Sequence, residues 1–130
     1  MRVFIIGGPR SGKTTMAAFL AKRHKLAHYC TDPLSLVKEP TDGVKYLPEG
    51  LYWGEDSDYI VSQWFPLDNV IIEGVGLARA LRKFKGENPC DHIVVLPDAV
   101  VERTTGQEVM AKGVMTVWSE VSSKYKHLVR

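Results

Sequence analysis

The chain has little sulfur, no long apolar stretch and almost no net charge. Its 130 residues hold two cysteines, Cys30 and Cys90, without metal-ligand spacing, so a disulfide scaffold and a thiolate metal site are both excluded as organising principles. The two thiols are expected to stay reduced near strand ends. No apolar run approaches a membrane span. The sequence opens on core-strand residues, so no signal peptide, no membrane partner and a cytoplasmic location are expected. The formal net charge of +2 is too small to argue for nucleic acid by itself, although Arg79, Arg82, Lys83 and Lys85 lie close together. Repeats, low-complexity tracts and linkers are missing too, and residues 1–130 read as one domain. The four histidines, His24, His28, His92 and His127, are scattered and read as surface or strand-end residues rather than ligands.

What is present is concentrated near the start. Val3-Phe4-Ile5-Ile6 runs into Gly7-Gly8-Pro9-Arg10-Ser11-Gly12-Lys13-Thr14, which fits G-x-x-x-x-G-K-[ST] at every fixed position. Gly7 and Gly12 allow a tight turn and close approach to an anion. Successive N–H groups then form a positive concavity, and the following helix adds its own N-terminal N–H groups. Lys13 supplies a cation for β- and γ-phosphates, and Thr14 a hydroxyl for Mg²⁺. The expected ligand is therefore a nucleoside triphosphate with Mg²⁺, held on Gly8, Pro9, Arg10, Ser11, Gly12, Lys13, Thr14 and Thr15. No N-K-x-D guanine-reading pattern is present, which makes ATP the default.

Four apolar runs read as strands: Arg2 to Ile6, Ala27 to Cys30, Asn69 to Glu73 and His92 to Leu96. Val70-Ile71-Ile72 and Ile93-Val94-Val95-Leu96 are continuous rather than alternating, as expected of parallel strands covered on both faces. Helices are expected at Lys13 to His24, Asp58 to Phe65, Leu77 to Phe84 and Gln107 to Lys126, the last capped by Thr105 with Glu108. Met110, Val114, Val117, Trp118, Val121, Tyr125 and Leu128 form one stripe, read as packing on the sheet. The alternation predicts an α/β three-layer sandwich around a parallel sheet of about four strands. Between Glu39 and Gly54, prolines and glycines break all periodicity around Tyr46, Tyr52 and Trp53. That segment is either an irregular loop filling the core edge or a substrate-facing loop.

The loop and the order of elements resemble the P-loop kinases, the nucleoside, nucleotide and polynucleotide kinase-like branch of P-loop NTPases. The resemblance implies a strand order of 2-3-1-4 and a phosphotransferase acting on a nucleotide-like or nucleic-acid acceptor. Its alternatives are a non-catalytic nucleotide-binding module or a slow NTPase. It points to Glu73 as a Mg²⁺ ligand beside Thr14, against a plain strand-end glutamate. Asp32 would face the acceptor hydroxyl and take its proton, or else cap an Asp-Pro turn. Arg79 would grip an acceptor phosphate, or lie on a solvated helix face. Asp98 to Gly106 matches the lid and offers only Arg103, for transition-state charge or for a surface pair with Glu102 or Asp98. A fifth family strand is expected to be missing or vestigial after the long helix, where only His127 to Arg130 remain.

Overall fold

The computed structural model describes residues 1–37, 39–52 and 54–130. Five parallel strands form one sheet: β1 (Arg2–Gly7), β2 (Ala27–Cys30), β3 (Val44–Tyr46), β4 (Val70–Glu73) and β5 (His92–Leu96). Their spatial order is β3-β2-β4-β1-β5. The four anticipated strands thus lie in the expected relative order. The count of about four is corrected by β3, which adds to the outer edge of β2 inside the segment read as irregular.

Alternation along the strands sorts side chains between two faces. Val3, Ile5 and Ile71 pack with Ala17 of helix α1 (Lys13–His24), which covers one face. Phe4, Ile6, Val70, Ile72 and Ile93 point the other way. There they meet α3 (Leu77–Lys83), α4 (Thr105–Val121) and the segment made of α2 (Glu55–Tyr59) and a π-helical turn, Ile60–Trp64. The result is a layer of helix on each side of the sheet. All four residues of β4 are buried, which explains why that strand reads as an unbroken apolar run. Each aliphatic side chain buried here contributes about 1.5–3 kcal/mol.

Several boundaries move. β4 begins at Val70 because Asn69 takes a left-handed conformation, φ 54°. The second helix starts three residues earlier than expected, directly after Gly54 at φ 86°. The last helix ends at Val121, where Ser122 and Ser123 weaken helical preference, and a short 3₁₀ turn follows at Lys126–Leu128. Its capping box is Thr104 with Gln107, one residue upstream of the expected pair. From the apolar stripe, Val114, Trp118, Tyr125 and Leu128 are buried. Beyond β5, Val129 makes a single parallel bridge to Ile93, and Arg130 N–H donates to Ile93 O at 2.9 Å. Among the described residues, no helix is long and apolar enough to cross a membrane.

Candidate functional site

β1 delivers the chain to the C-terminal edge of the sheet, and residues 8–12 turn there into α1. The turn depends on missing side chains. A Cβ on Gly7 would lie 2.5 Å from Ser11 Oγ, and one on Gly8 would lie 2.6 Å from Ala111 Cβ. Gly12 caps α1 at φ 87°, in the left-handed region. The first N–H groups of α1 have no intrahelical acceptor and face the loop's concavity. Ser11 is buried, and its Oγ has no partner among the described residues. A buried hydroxyl of this kind is an unmet hydrogen-bonding group.

Lys13 is 5 % exposed, yet among the described residues its ammonium has only long contacts. Nζ donates to Gly8 O at 3.4 Å and lies 3.6 Å from Asp32 Oδ2. Asp32 is anchored by its other oxygen, which accepts from Val75 N–H at 2.8 Å. Thr31 holds the same crossing: its N–H donates to Glu73 O at 2.8 Å, and its hydroxyl accepts from Gly76 N–H at 3.0 Å. Gly74, at φ 135°, makes this close approach possible, since a Cβ there would meet Thr31 N at 2.8 Å.

Register decides where Glu73 points. Ile5, Cys30 and Glu73 are partners across β1, β4 and β2, so Glu73 shares the α1 face with Ile71. Thr14, in the first turn of α1, therefore meets it: Thr14 Oγ1 donates to Glu73 Oε1 at 3.4 Å. The second oxygen, Oε2, is 2.8 Å from His28 Nε2, and both residues are buried. His28 is thus a correction to its reading as a surface or strand-end residue. It sits inside β2, two residues before Cys30 on the same face. Cys30 Sγ and one oxygen each from Asp32 and Glu73 lie within 4.8 Å of one another. Burial, reinforced by the Asp32 and Glu73 carboxylates, pushes the Cys30 thiol up. Held protonated, it is a poor metal ligand. The hydroxyl of Thr14 and Glu73 Oε1, joined only by a long 3.4 Å contact, form a hard oxygen pair of the kind that suits Mg²⁺.

Arg103 is placed differently from a lid residue reaching outward. Its side chain is 6 % exposed, Nε donates to Pro9 O at 2.6 Å, and Nη2 has no partner among the described residues. The partners weighed for it, Glu102 and Asp98, are not the ones found: Nη1 lies 3.9 Å from Glu108. With Val100 N–H donating to Arg10 O at 2.9 Å, the segment before α4 is fastened onto the loop.

Pro33, the residue after Asp32, enters the lining of a cleft of about 590 Å³ together with Leu34, Leu47, Leu51, Tyr52 and the Arg79 wall. Arg79 Nη2 donates to Asp56 Oδ2 at 2.9 Å across that wall. Asp56 was not legible as a site residue. Tyr52 is 81 % exposed beside the cleft, and Tyr46 belongs to β3. Trp53, the third aromatic, lies outside the described residues. Arg82 pairs with Glu120 at 3.3 Å on the exposed surface, and Lys83 with Asp58 at 3.1 Å. Such exposed pairs contribute little.

No protein-family model matches the chain, and no curated protein matches it significantly.

Proposed function

We propose that the chain is a P-loop NTPase domain of the kinase-like branch. In this reading it binds ATP with Mg²⁺ and moves the γ-phosphoryl group to a nucleoside, nucleotide or polynucleotide acceptor. One observation carries the reading: the loop, Lys13, Thr14, Glu73 and Asp32 converge at one sheet edge, and Pro33, the residue after Asp32, lines a cleft of about 590 Å³. The strand order expected of that branch agrees with it.

The main-chain N–H groups of Gly8 and of residues 10–15 cradle the phosphates, and Ser11 Oγ, without a partner among the described residues, gains one. Lys13 exchanges its long contacts for the β- and γ-oxygens. Thr14 and Glu73 would hold Mg²⁺, which would supply charge neutralisation for the phosphates. The acceptor hydroxyl oxygen forms a bond to the γ-phosphorus. The bond to the β–γ bridging oxygen breaks, its electron pair leaves with ADP, and the hydroxyl proton passes to Asp32 Oδ2. Arg103 holds Pro9 and so fixes the loop's shape during transfer.

A second reading, nucleotide binding with slow hydrolysis or none, is favoured by one feature. The arginine of the 98–106 stretch is committed to Pro9 and buried. Incubation with γ-labelled ATP and pooled acceptors separates the readings. Label on an acceptor supports transfer, while free phosphate or unchanged ATP supports the second reading.

A further inference from the structure

We infer that the acceptor cleft selects an uncharged, hydroxyl-bearing molecule with a flat ring, of the nucleoside class, and rejects phosphorylated acceptors. The inference rests on the transfer reading above for the identity of the cleft as the acceptor site. Its basis is charge. Among the described residues lining the cleft, Arg79 is the only cation, against the two carboxylates of Asp56 and Glu49. Arg79 is already matched: Asp56 Oδ2 takes its Nη2 at 2.9 Å, with the two side chains 19 % and 27 % exposed. A half-buried pair of this kind is electrically neutral as seen from the cleft, and among the described lining residues Glu49 leaves an excess of negative charge. A phosphate monoester entering here would meet like charge and would have to take Arg79 from its partner.

The rest of the lining suits a ring. Pro33, Leu34, Leu47 and Leu51 give apolar walls, and the exposed Tyr52 offers a stacking face at the mouth. Ser35 and Asp56 supply polar atoms for hydroxyl or amino groups. The same charge balance serves release. Transfer turns a neutral acceptor into a phosphorylated product, which an acidic cleft disfavours. Asp56 is thereby a specificity-determining residue: it withholds Arg79 from phosphate.

The test is a set of binding titrations on the full chain without ATP, using the common nucleosides, their 5′-monophosphates and a short single-stranded oligonucleotide. The parent protein is expected to bind at least one nucleoside roughly tenfold more tightly than its 5′-monophosphate. Asp56→Asn removes the carboxylate that pairs with Arg79 and one negative charge from the cleft, and should move that ratio about tenfold toward the monophosphate. Glu49→Gln, on an exposed loop, should move it in the same direction by roughly two- to threefold. It decides the matter if Asp56→Asn does not fold. The inference is overturned if a monophosphate or the oligonucleotide binds as well as the best nucleoside. It is equally overturned if no nucleoside binds or if the foldable variants leave the ratio unchanged. A parallel ATP titration keeps the two proposals apart. Loss of ATP binding defeats the function proposed above, whereas the acceptor ratio is read without ATP.

Discussion

His28 Nε2 lies 2.8 Å from Glu73 Oε2, inside the sheet, with Glu73 fully buried. The contact links β2 to β4 through side chains as well as through the ladder, and it fixes which Glu73 oxygen remains for Thr14. Removing one partner leaves the other buried without its hydrogen bond, which costs more than the bond itself contributes. His28→Ala should therefore lower stability by about 3 kcal/mol in urea unfolding. His28→Gln, which can still reach a carboxylate, should lose less. Parent-like unfolding of the alanine variant would remove this pair from the account.

Gly8 marks the contact between the phosphate loop and α4. A Cβ there would lie 2.6 Å from Ala111 Cβ and 2.7 Å from its Cα, and backbone cannot yield as a flexible side chain does. Gly8→Ala should cost about 1–3 kcal/mol by overpacking. It should also weaken ATP binding, because relief requires the loop to shift. Ala111→Gly in the same chain should recover part of both losses. Failure of that rescue would show that the loop and α4 are not coupled.

Thiol chemistry gives a pH prediction. Burial pushes Cys90 up to about 12 from its ordinary 9.0, with Asp91 adding to the rise and Arg2 opposing it. The folded chain then keeps a proton that the unfolded chain releases. The stabilising effect is complete below the ordinary value and is lost as pH rises through the folded one. Unfolding free energy should fall as pH rises above about 9, and Cys90→Ala should flatten that fall. Cys30 is shifted in the same direction, chiefly by burial. Both thiols should resist an aromatic disulfide reagent at neutral pH and react only on unfolding. Fast native-state labelling would contradict this.

Asp32 keeps its position through Oδ1 and presents Oδ2 toward Lys13. Asp32→Asn preserves the Val75 hydrogen bond but removes the proton acceptor. ATP affinity should change little, and transfer to an acceptor should drop by about 10²–10⁴-fold. Unchanged turnover would take Asp32 out of the chemistry.

The parts legible in the sequence are those whose signal is local. β1, β4 and β5 announce themselves as continuous apolar runs because the sheet is packed on both faces. The phosphate loop is contiguous, so its glycines and Lys13 can be read in place. β3 escapes because it has three residues, with exposed Lys45 at its centre and Gly43 and Pro48 nearby. Thr104 and Thr105 both fit a cap, and only the hydrogen bond with Gln107 chooses between them. The Asp56–Arg79 and His28–Glu73 contacts span 23 and 45 residues, so they exist only once the strand order has formed. His28 could have been suspected from alternation, since it shares a face with Cys30 once β2 is paired.

The central claim is that the concavity built by residues 8–15 takes the phosphates of a nucleotide, with Lys13 as its cation. Calorimetric titration of the parent chain and of Lys13→Ala with ATP and Mg²⁺ tests it most directly. The account predicts saturable binding by the parent and loss of at least roughly a hundredfold in affinity in a variant that still folds, as expected when a charge-assisted phosphate contact is removed. A parent that ignores purine triphosphates, or a Lys13→Ala variant that binds ATP as the parent does, would contradict it.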